Sequence, residues 1–184
     1  MRLFIGLDVP WQIRRNLELV LQHLKPKAEI AWSQLGNLHV TTKFVGDWPD
    51  SRLDELKSAL ASIPLPGELK ITIRGIGWFP NPHQPRVLFA GIQGPPELAA
   101  LAASTESVCE SFGIPAERRD FRPHLTLARV RTPKPLFELK RAIAEMPDDR
   151  FGEFQSTEFH LYKSELRPQG GSIYTKLASY TLIP

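Results

Sequence analysis

Asn37-Leu38-His39-Val40-Thr41-Thr42-Lys43-Phe44-Val45-Gly46 and Phe121-Arg122-Pro123-His124-Leu125-Thr126-Leu127-Ala128-Arg129 carry the same unit, His-x-Thr, 85 positions apart in a chain of 184 residues. Each copy sits in an apolar run rich in Val, Leu, Thr and Phe, which reads as a strand. Side chains in a strand alternate faces, so His39 and Thr41 point the same way, as do His124 and Thr126. Each strand therefore presents an imidazole beside a hydroxyl, while Thr42 faces the packing side. The two strands fall in corresponding halves of the chain, which suggests a pseudo-symmetric pair of lobes. Beyond the motif and its apolar frame no further internal similarity is expected, and no fixed-period repeat of the solenoid kind is visible.

Outward from the motifs, residues 3–9 read as a first strand, and Pro10 opens a helix with Ile13, Leu17, Val20, Leu21 and Leu24 on one face. Residues 28–32 are a short extended piece before the first motif strand, 38–45. After the Gly46-Asp47-Trp48-Pro49 turn comes a helix capped by Asp50 or Ser51, with Leu53, Leu56, Leu60 and Ile63 inward. Pro64-Leu65-Pro66-Gly67 breaks the chain. Strands at 69–78 and 86–92 flank the Asn81-Pro82-His83-Gln84-Pro85 loop. Pro95-Pro96 opens a helix marked by Leu98, Leu101, Thr105, Val108 and Phe112 and stopped by Gly113. The second motif strand spans 121–130, a short helix 135–146, and two last strands 154–166 and 173–182. The order β-α-β-β-α-β-β-α-β-α-β-β, with many strands joined by short turns, predicts an α+β fold with antiparallel sheets.

Composition bounds the function. At 42% hydrophobic and 23% charged, the chain has the make-up of a globular protein, and 184 residues suit one domain, or two lobes sharing a core. A net charge of +3 is compatible with an anionic substrate and far below that of a non-specific nucleic-acid coat. Cys109 is the single cysteine, so a disulfide framework and a cysteine-based metal cluster are excluded. No apolar run approaches a membrane span, and the N-terminus reads as a core strand rather than a signal peptide. A cytoplasmic monomer without membrane association is the default expectation.

The paired motifs point to phosphoester chemistry. Opening a cyclic phosphodiester requires a base for water and an acid for the departing ribose oxygen, and two imidazoles can share those roles near neutrality. Thr hydroxyls can donate to the non-bridging oxygens as charge builds there. No cofactor is called for: the motif strands carry no Asp or Glu, and two isolated histidines make a poor ligand set for Zn²⁺ or Mg²⁺. Strict alternation puts Lys43 and Arg122 on the faces of their histidines and Arg129 on the opposite face unless the strand bends. For Lys43 and Arg122, solvated charge is as good a reading as substrate contact. Phe44 and Phe121 read as core, and Trp32 as core or a stacking platform. His23 reads as a surface residue, His83 as a loop residue near the cleft mouth or in solvent, and His160 as cleft-lining or solvent-facing.

Both motifs with their flanks, together with Arg2-Leu3-Phe4-Ile5-Gly6-Leu7, Pro85-Arg86-Val87-Leu88-Phe89-Ala90-Gly91 and Leu161-Tyr162-Lys163-Ser164-Glu165-Leu166, resemble the two-histidine (2H) phosphoesterase superfamily. The closer resemblance is to its 2′-5′ RNA ligase and RNA 2′,3′-cyclic phosphodiesterase branch, in that branch's order along nearly the whole chain. The resemblance implies a bilobal fold with the motifs facing each other across a cleft. It implies hydrolysis of a terminal RNA 2′,3′-cyclic phosphate to a 2′-phosphomonoester, with His39 as acid and His124 as base. Thr41 and Thr126 then bind the phosphate, and Arg129 matches a position associated with it; Lys43 is a further candidate contact. The expected partner is RNA, or a nucleotide, bearing a 2′,3′-cyclic phosphate. Reversible 2′-5′ ligation and non-catalytic binding of RNA ends are the alternatives.

Overall fold

The computed structural model describes residues 1–64, 66–168 and 170–183. Leu65 of the predicted chain break, Gln169 and Pro184 lie outside the described residues. The elements run β1 (Arg2–Asp8), α1 (Trp11–Leu24), β2 (Ala31–Trp32), β3 (His39–Asp47), α2 (Leu53–Ala61), β4 (Leu69–Phe79), β5 (Val87–Gln93), α3 (Pro96–Ser111), β6 (His124–Arg129), α4 (Phe137–Ala144), β7 (Arg150–Ser156), β8 (Glu158–Leu166) and β9 (Ser172–Thr181). The α+β order holds, with one strand more than the sequence suggested. The run 154–166 is two strands, separated at Thr157, which belong to different sheets.

All strand pairs are antiparallel and form two sheets, β3-β1-β8-β9 and β2-β6-β5-β4-β7. One face of each sheet is apolar and covered by helices: α3 packs on β3 and α2 on β9, while α1 packs on β7 beside α4. In α1 the buried residues are Ile13, Leu17, Leu21 and Leu24, spaced to line one helical face. Burying each such side chain contributes about 1.5–3 kcal/mol. α3 ends as expected at Gly113, whose φ of 83° lets the Gly113 and Ile114 amides donate back to the carbonyls of Glu110 and Cys109.

The internal similarity reaches well beyond the motif. Leu3, Phe4 and Gly6 of β1 match Leu88, Phe89 and Gly91 of β5, Pro10 matches Pro95, and His39 and Thr41 match His124 and Thr126, every pair 85 positions apart. Tyr162 of β8 lies opposite Phe4, and Gly77 of β4, 85 positions earlier, lies opposite Phe89. The chain is thus two β-α-β-α-β halves that have exchanged their last strands. β4 follows the first motif but pairs with β5, and β8 follows the second motif but pairs with β1. Neither three-stranded centre can be assembled from one half of the chain.

Candidate active site

The motif strands share a distortion that decides which side chains face the cleft. In the β1–β3 ladder, Gly6 lies opposite Thr41 and Ile5 opposite Lys43, leaving Thr42 as an extra residue. In the β5–β6 ladder, Phe89 lies opposite Thr126 and Leu88 opposite Ala128, leaving Leu127 extra. Thr42 and Leu127 are again 85 positions apart. Each is a β-bulge, which moves every following side chain to the other face.

The consequence overturns two expectations from strict alternation. Lys43 passes to the covered face, where it is 2% exposed. Its ammonium donates to Glu106 Oε1 of α3 and to the Pro115 carbonyl, both at 2.9 Å, with Glu117 at 3.8 Å. It is a structural cation and not a cleft residue. Phe44 takes the place Lys43 was expected to hold; it is 55% exposed and lies opposite Phe4, so it is not core. On β6 the same slip returns Arg129 to the His124 face, exposed and near enough for its charge to act on His124. Thr42 is buried as expected, its hydroxyl donating to the Ile5 carbonyl at 3.3 Å.

The two histidines are held identically. His39 Nδ1–H donates to the carbonyl of Asn37 at 2.7 Å, and His124 Nδ1–H to the carbonyl of Arg122 at 2.8 Å. A carbonyl only accepts, so each bond fixes the proton on Nδ1 and leaves Nε2 for a ligand. Arg122 thus serves through its backbone, and its side chain is exposed. Behind His39 lies the Phe4 ring, 4.4 Å between centroids, with Tyr174 edge-on at 5.1 Å. Behind His124 stand Phe79 at 5.0 Å and Phe89 at 5.6 Å, themselves stacked at 4.1 Å. The Phe89 ring lies across Gly77, where a Cβ would meet it at 2.4 Å. These aromatic backstops were not singled out in the sequence; the doubled Leu-Phe-x-Gly was the signal for them.

β3 and β6 approach each other, and the two imidazoles sense one another. Burial pushes His39 down to about 4, opposed by its bond to Asn37 and by Asp8, and helped by His124 and Arg14. Burial also lowers His124, with Arg129 adding to the effect. Thr41 and Thr126 are half-buried on the same faces as their histidines.

Beside His39 the first sheet carries a polar cluster with no counterpart in the second. Asp8 accepts from Tyr162 Oη and Lys176 Nζ, and Arg14 Nη2 lies 4.0 Å away. Burial works to raise the Asp8 carboxyl, but the bonds from Lys176 and Tyr162 outweigh it and hold the group below the usual range. His160 is 3% exposed, bonded through Nδ1 to Ser179 Oγ at 2.9 Å, so it does not face solvent. The equivalents of Asp8, His160 and Tyr162 in the second sheet, each 85 positions away, are Gln93 of β5 and Gly75 and Gly77 of β4. His23 and His83 are exposed, Phe121 is half-buried against the core, and Trp32 is half-buried in β2 with Nε1 bonded to the Ala28 carbonyl. Among the described residues no three His, Cys, Asp or Glu side chains converge as a metal-ligand set.

Two His-x-Thr strands on partnered sheets, each histidine offering Nε2, define the two-histidine phosphoesterase plan. Residues 13–168 match the 2′-5′ RNA ligase superfamily. The RNA 2′,3′-cyclic phosphodiesterase of Archaeoglobus fulgidus is 32% identical over 170 residues, covering 92% of this chain and 94% of that one. That of Methanocaldococcus jannaschii is 33% identical over 170 residues, covering 92% and 95%. Among solved structures, TT0787 of Thermus thermophilus superposes with a TM-score of 0.82 at 30% identity, covering 99% of this chain and 98% of that one. E. coli LigT complexed with 3′-AMP gives 0.76 at 28% identity, covering 98% and 97%. The chain belongs to the 2′-5′ RNA ligase superfamily.

Proposed function

We propose that this protein is an RNA 2′,3′-cyclic phosphodiesterase, a single domain of two lobes that opens a terminal cyclic phosphate to a 2′-phosphomonoester without a metal. The observation that carries the reading is the pair of identically held histidines, each with Nδ1 locked to the carbonyl two residues earlier and Nε2 free. In the reaction, His124 Nε2 takes a proton from water as the water oxygen attacks phosphorus. The bond from phosphorus to O3′ breaks, and His39 Nε2–H gives its proton to O3′. One water is consumed, and the products are a 2′-phosphate and a 3′-hydroxyl. Thr41 and Thr126 donate to the non-bridging oxygens, and Arg129 adds positive charge beside them.

Neighbouring charges act on both imidazoles. At His39, His124 and Arg14 disfavour a cation and Asp8 favours one, while at His124 the nearby Arg129 disfavours a cation. Burial depresses both imidazoles, and the bound phosphate anion is the charge that restores a proton to one of them. A second reading, ligation through a 2′-5′ bond, is supported by the superfamily match. The same site runs it by microscopic reversibility, with an RNA 5′-hydroxyl in place of water.

The test is turnover of nucleoside 2′,3′-cyclic phosphates and of a short RNA ending in one, in EDTA, with NMR of the product. Hydrolysis to the 2′-phosphate is expected, and both His39→Ala and His124→Ala should abolish it. Full activity in either variant, or loss of activity in EDTA restored by a divalent ion, overturns the reading. A binding protein without turnover would give stoichiometric complexes and no product.

A further inference from the structure

The pseudo-symmetry breaks beside His39, and the break has the chemistry of an anion site. A cavity of about 240 Å³ opens there, lined by His39, Asn37, Arg14, Lys176, Tyr174 and Asp8 among others; none of its lining residues belongs to β4, β5 or β6. Arg14 Nε is buried and has no hydrogen-bond partner among the described residues, and the guanidinium's nearest carboxylate contact, to Asp8, is 4.0 Å long. Lys176 is tied to Asp8 yet its side chain stays 44% exposed, with donors to spare. Two cations against one carboxylate leave a single net positive charge, with burial keeping the adjacent His160 toward its neutral form. One positive charge and a fork of open donors match one phosphodiester, which is monoanionic. Asp8 and Arg14 also line a second cavity of about 380 Å³ that continues past them toward Trp11, which is 72% exposed. A groove that continues past the cations suits a chain better than a lone ion.

We propose that Arg14 and Lys176 form a subsite for the phosphodiester on the 5′ side of the terminal nucleotide, so that the enzyme prefers RNA chain ends over free cyclic nucleotides. The inference rests on the proposed function, and specifically on His39 as the acid. If His39 protonates O3′, the terminal ribose lies on the first sheet's side of the cleft. The next phosphate back along the chain is then one ribose away from His39, within reach of the cavity that His39 itself lines.

The experiment compares kcat/KM for a dinucleotide ending in 2′,3′-cyclic phosphate with that for the mononucleoside 2′,3′-cyclic phosphate bearing a free 5′-hydroxyl. The wild-type ratio is expected to be about tenfold or more, the size of one charge-assisted contact. It should shrink with salt, because only the longer substrate carries the extra phosphate. Arg14→Gln and Lys176→Gln should each bring the ratio toward one. Arg15→Gln, on the same helix but paired with Glu18, should leave it unchanged. Thermal melts of each variant exclude a folding defect. Equal efficiency on the two substrates in the wild type, or a ratio undisturbed in both Arg14→Gln and Lys176→Gln, overturns the subsite alone. Hydrolysis of neither substrate by the wild type overturns the proposed function and the subsite with it.

Discussion

Replacing Lys43 by methionine separates the two roles this residue has been given. The unbranched Met side chain fills most of the space of the lysine stem, so the cavity penalty of a truncation is largely avoided. What is lost is a charge-assisted bond to Glu106 and a bond to the Pro115 carbonyl, both 2.9 Å, from a side chain that is 1% exposed. Hydrogen bonds involving a charged group contribute about 1.5–3 kcal/mol, and an orphaned carbonyl costs about 1–3 kcal/mol. Two features reduce the total. Glu106 is 22% exposed and still accepts from the Glu117 amide at 2.6 Å, and the desolvation cost of a buried ammonium disappears. The net destabilisation is therefore about 2–3 kcal/mol, which for a chain of this length lowers Tm by roughly 4–12 °C. Scanning calorimetry reads that shift, and kcat/KM on a cyclic nucleotide well below Tm should stay within about twofold of wild type. An unchanged Tm with kcat/KM down tenfold or more would return Lys43 to the substrate and refute the bulge as the element that sets the faces of β3.

The Arg129→Ala variant should do the reverse, lowering kcat/KM by about tenfold or more with Tm nearly unchanged, because its side chain is exposed on the His124 face. Since both imidazoles are depressed in the free protein, His39 to about 4, the form with one proton between them becomes scarce as pH rises. The logarithm of kcat/KM should therefore already be falling above pH 6.5, whereas kcat, measured with phosphate bound, should hold to higher pH; a kcat/KM flat through pH 8 contradicts the acid–base pair. Gly77→Ala puts a Cβ 2.4 Å from the Phe89 ring, so it should shift the ring behind His124 and lower kcat more than it raises KM, in contrast to an exposed alanine substitution away from the cleft such as Leu19→Ala.

The sequence showed what local chemistry determines. The doubled His-x-Thr, the apolar helical faces and the proline and glycine stops place most elements within a few residues of where they fold. Phe44, Lys43 and Arg129 were misread or left open for one reason: a period of two holds only while the ladder is regular, and a bulge is a property of two paired strands. Nothing in Thr41-Thr42-Lys43 states that Thr42 is the extra residue. The information lies in Gly6, whose Cβ would meet the Val40 carbonyl at 2.4 Å, and so in a partner 35 positions away. The strand 154–166 failed similarly, since a continuous extended run does not reveal that the chain changes sheets at Thr157.

The 85-residue offset also explains why so symmetrical a frame catalyses an unsymmetrical reaction. Duplication supplies two equivalent imidazoles, each fixed by its own i−2 carbonyl, and two equivalent bulges that return the third residue after each Thr to the cleft face. A cyclic phosphodiester needs the two imidazoles in opposite protonation states, so equivalence must be broken by their surroundings. The break sits at matched positions: Arg129 where the first half has Phe44, and Asp8 where the second half has Gln93. Arg129 disfavours a proton on His124 and Asp8 favours one on His39, although Arg14 and His124 oppose it there and burial lowers both. Removing the charges one at a time is the strongest test of this division. The Asp8→Asn variant removes a charge that favours a proton on His39 and should shift a limb of the kcat/KM profile to lower pH, and Arg129→Gln removes a charge that disfavours a proton on His124 and should shift the other limb to higher pH. Limbs that stay in place in both variants would mean that burial alone sets the pair.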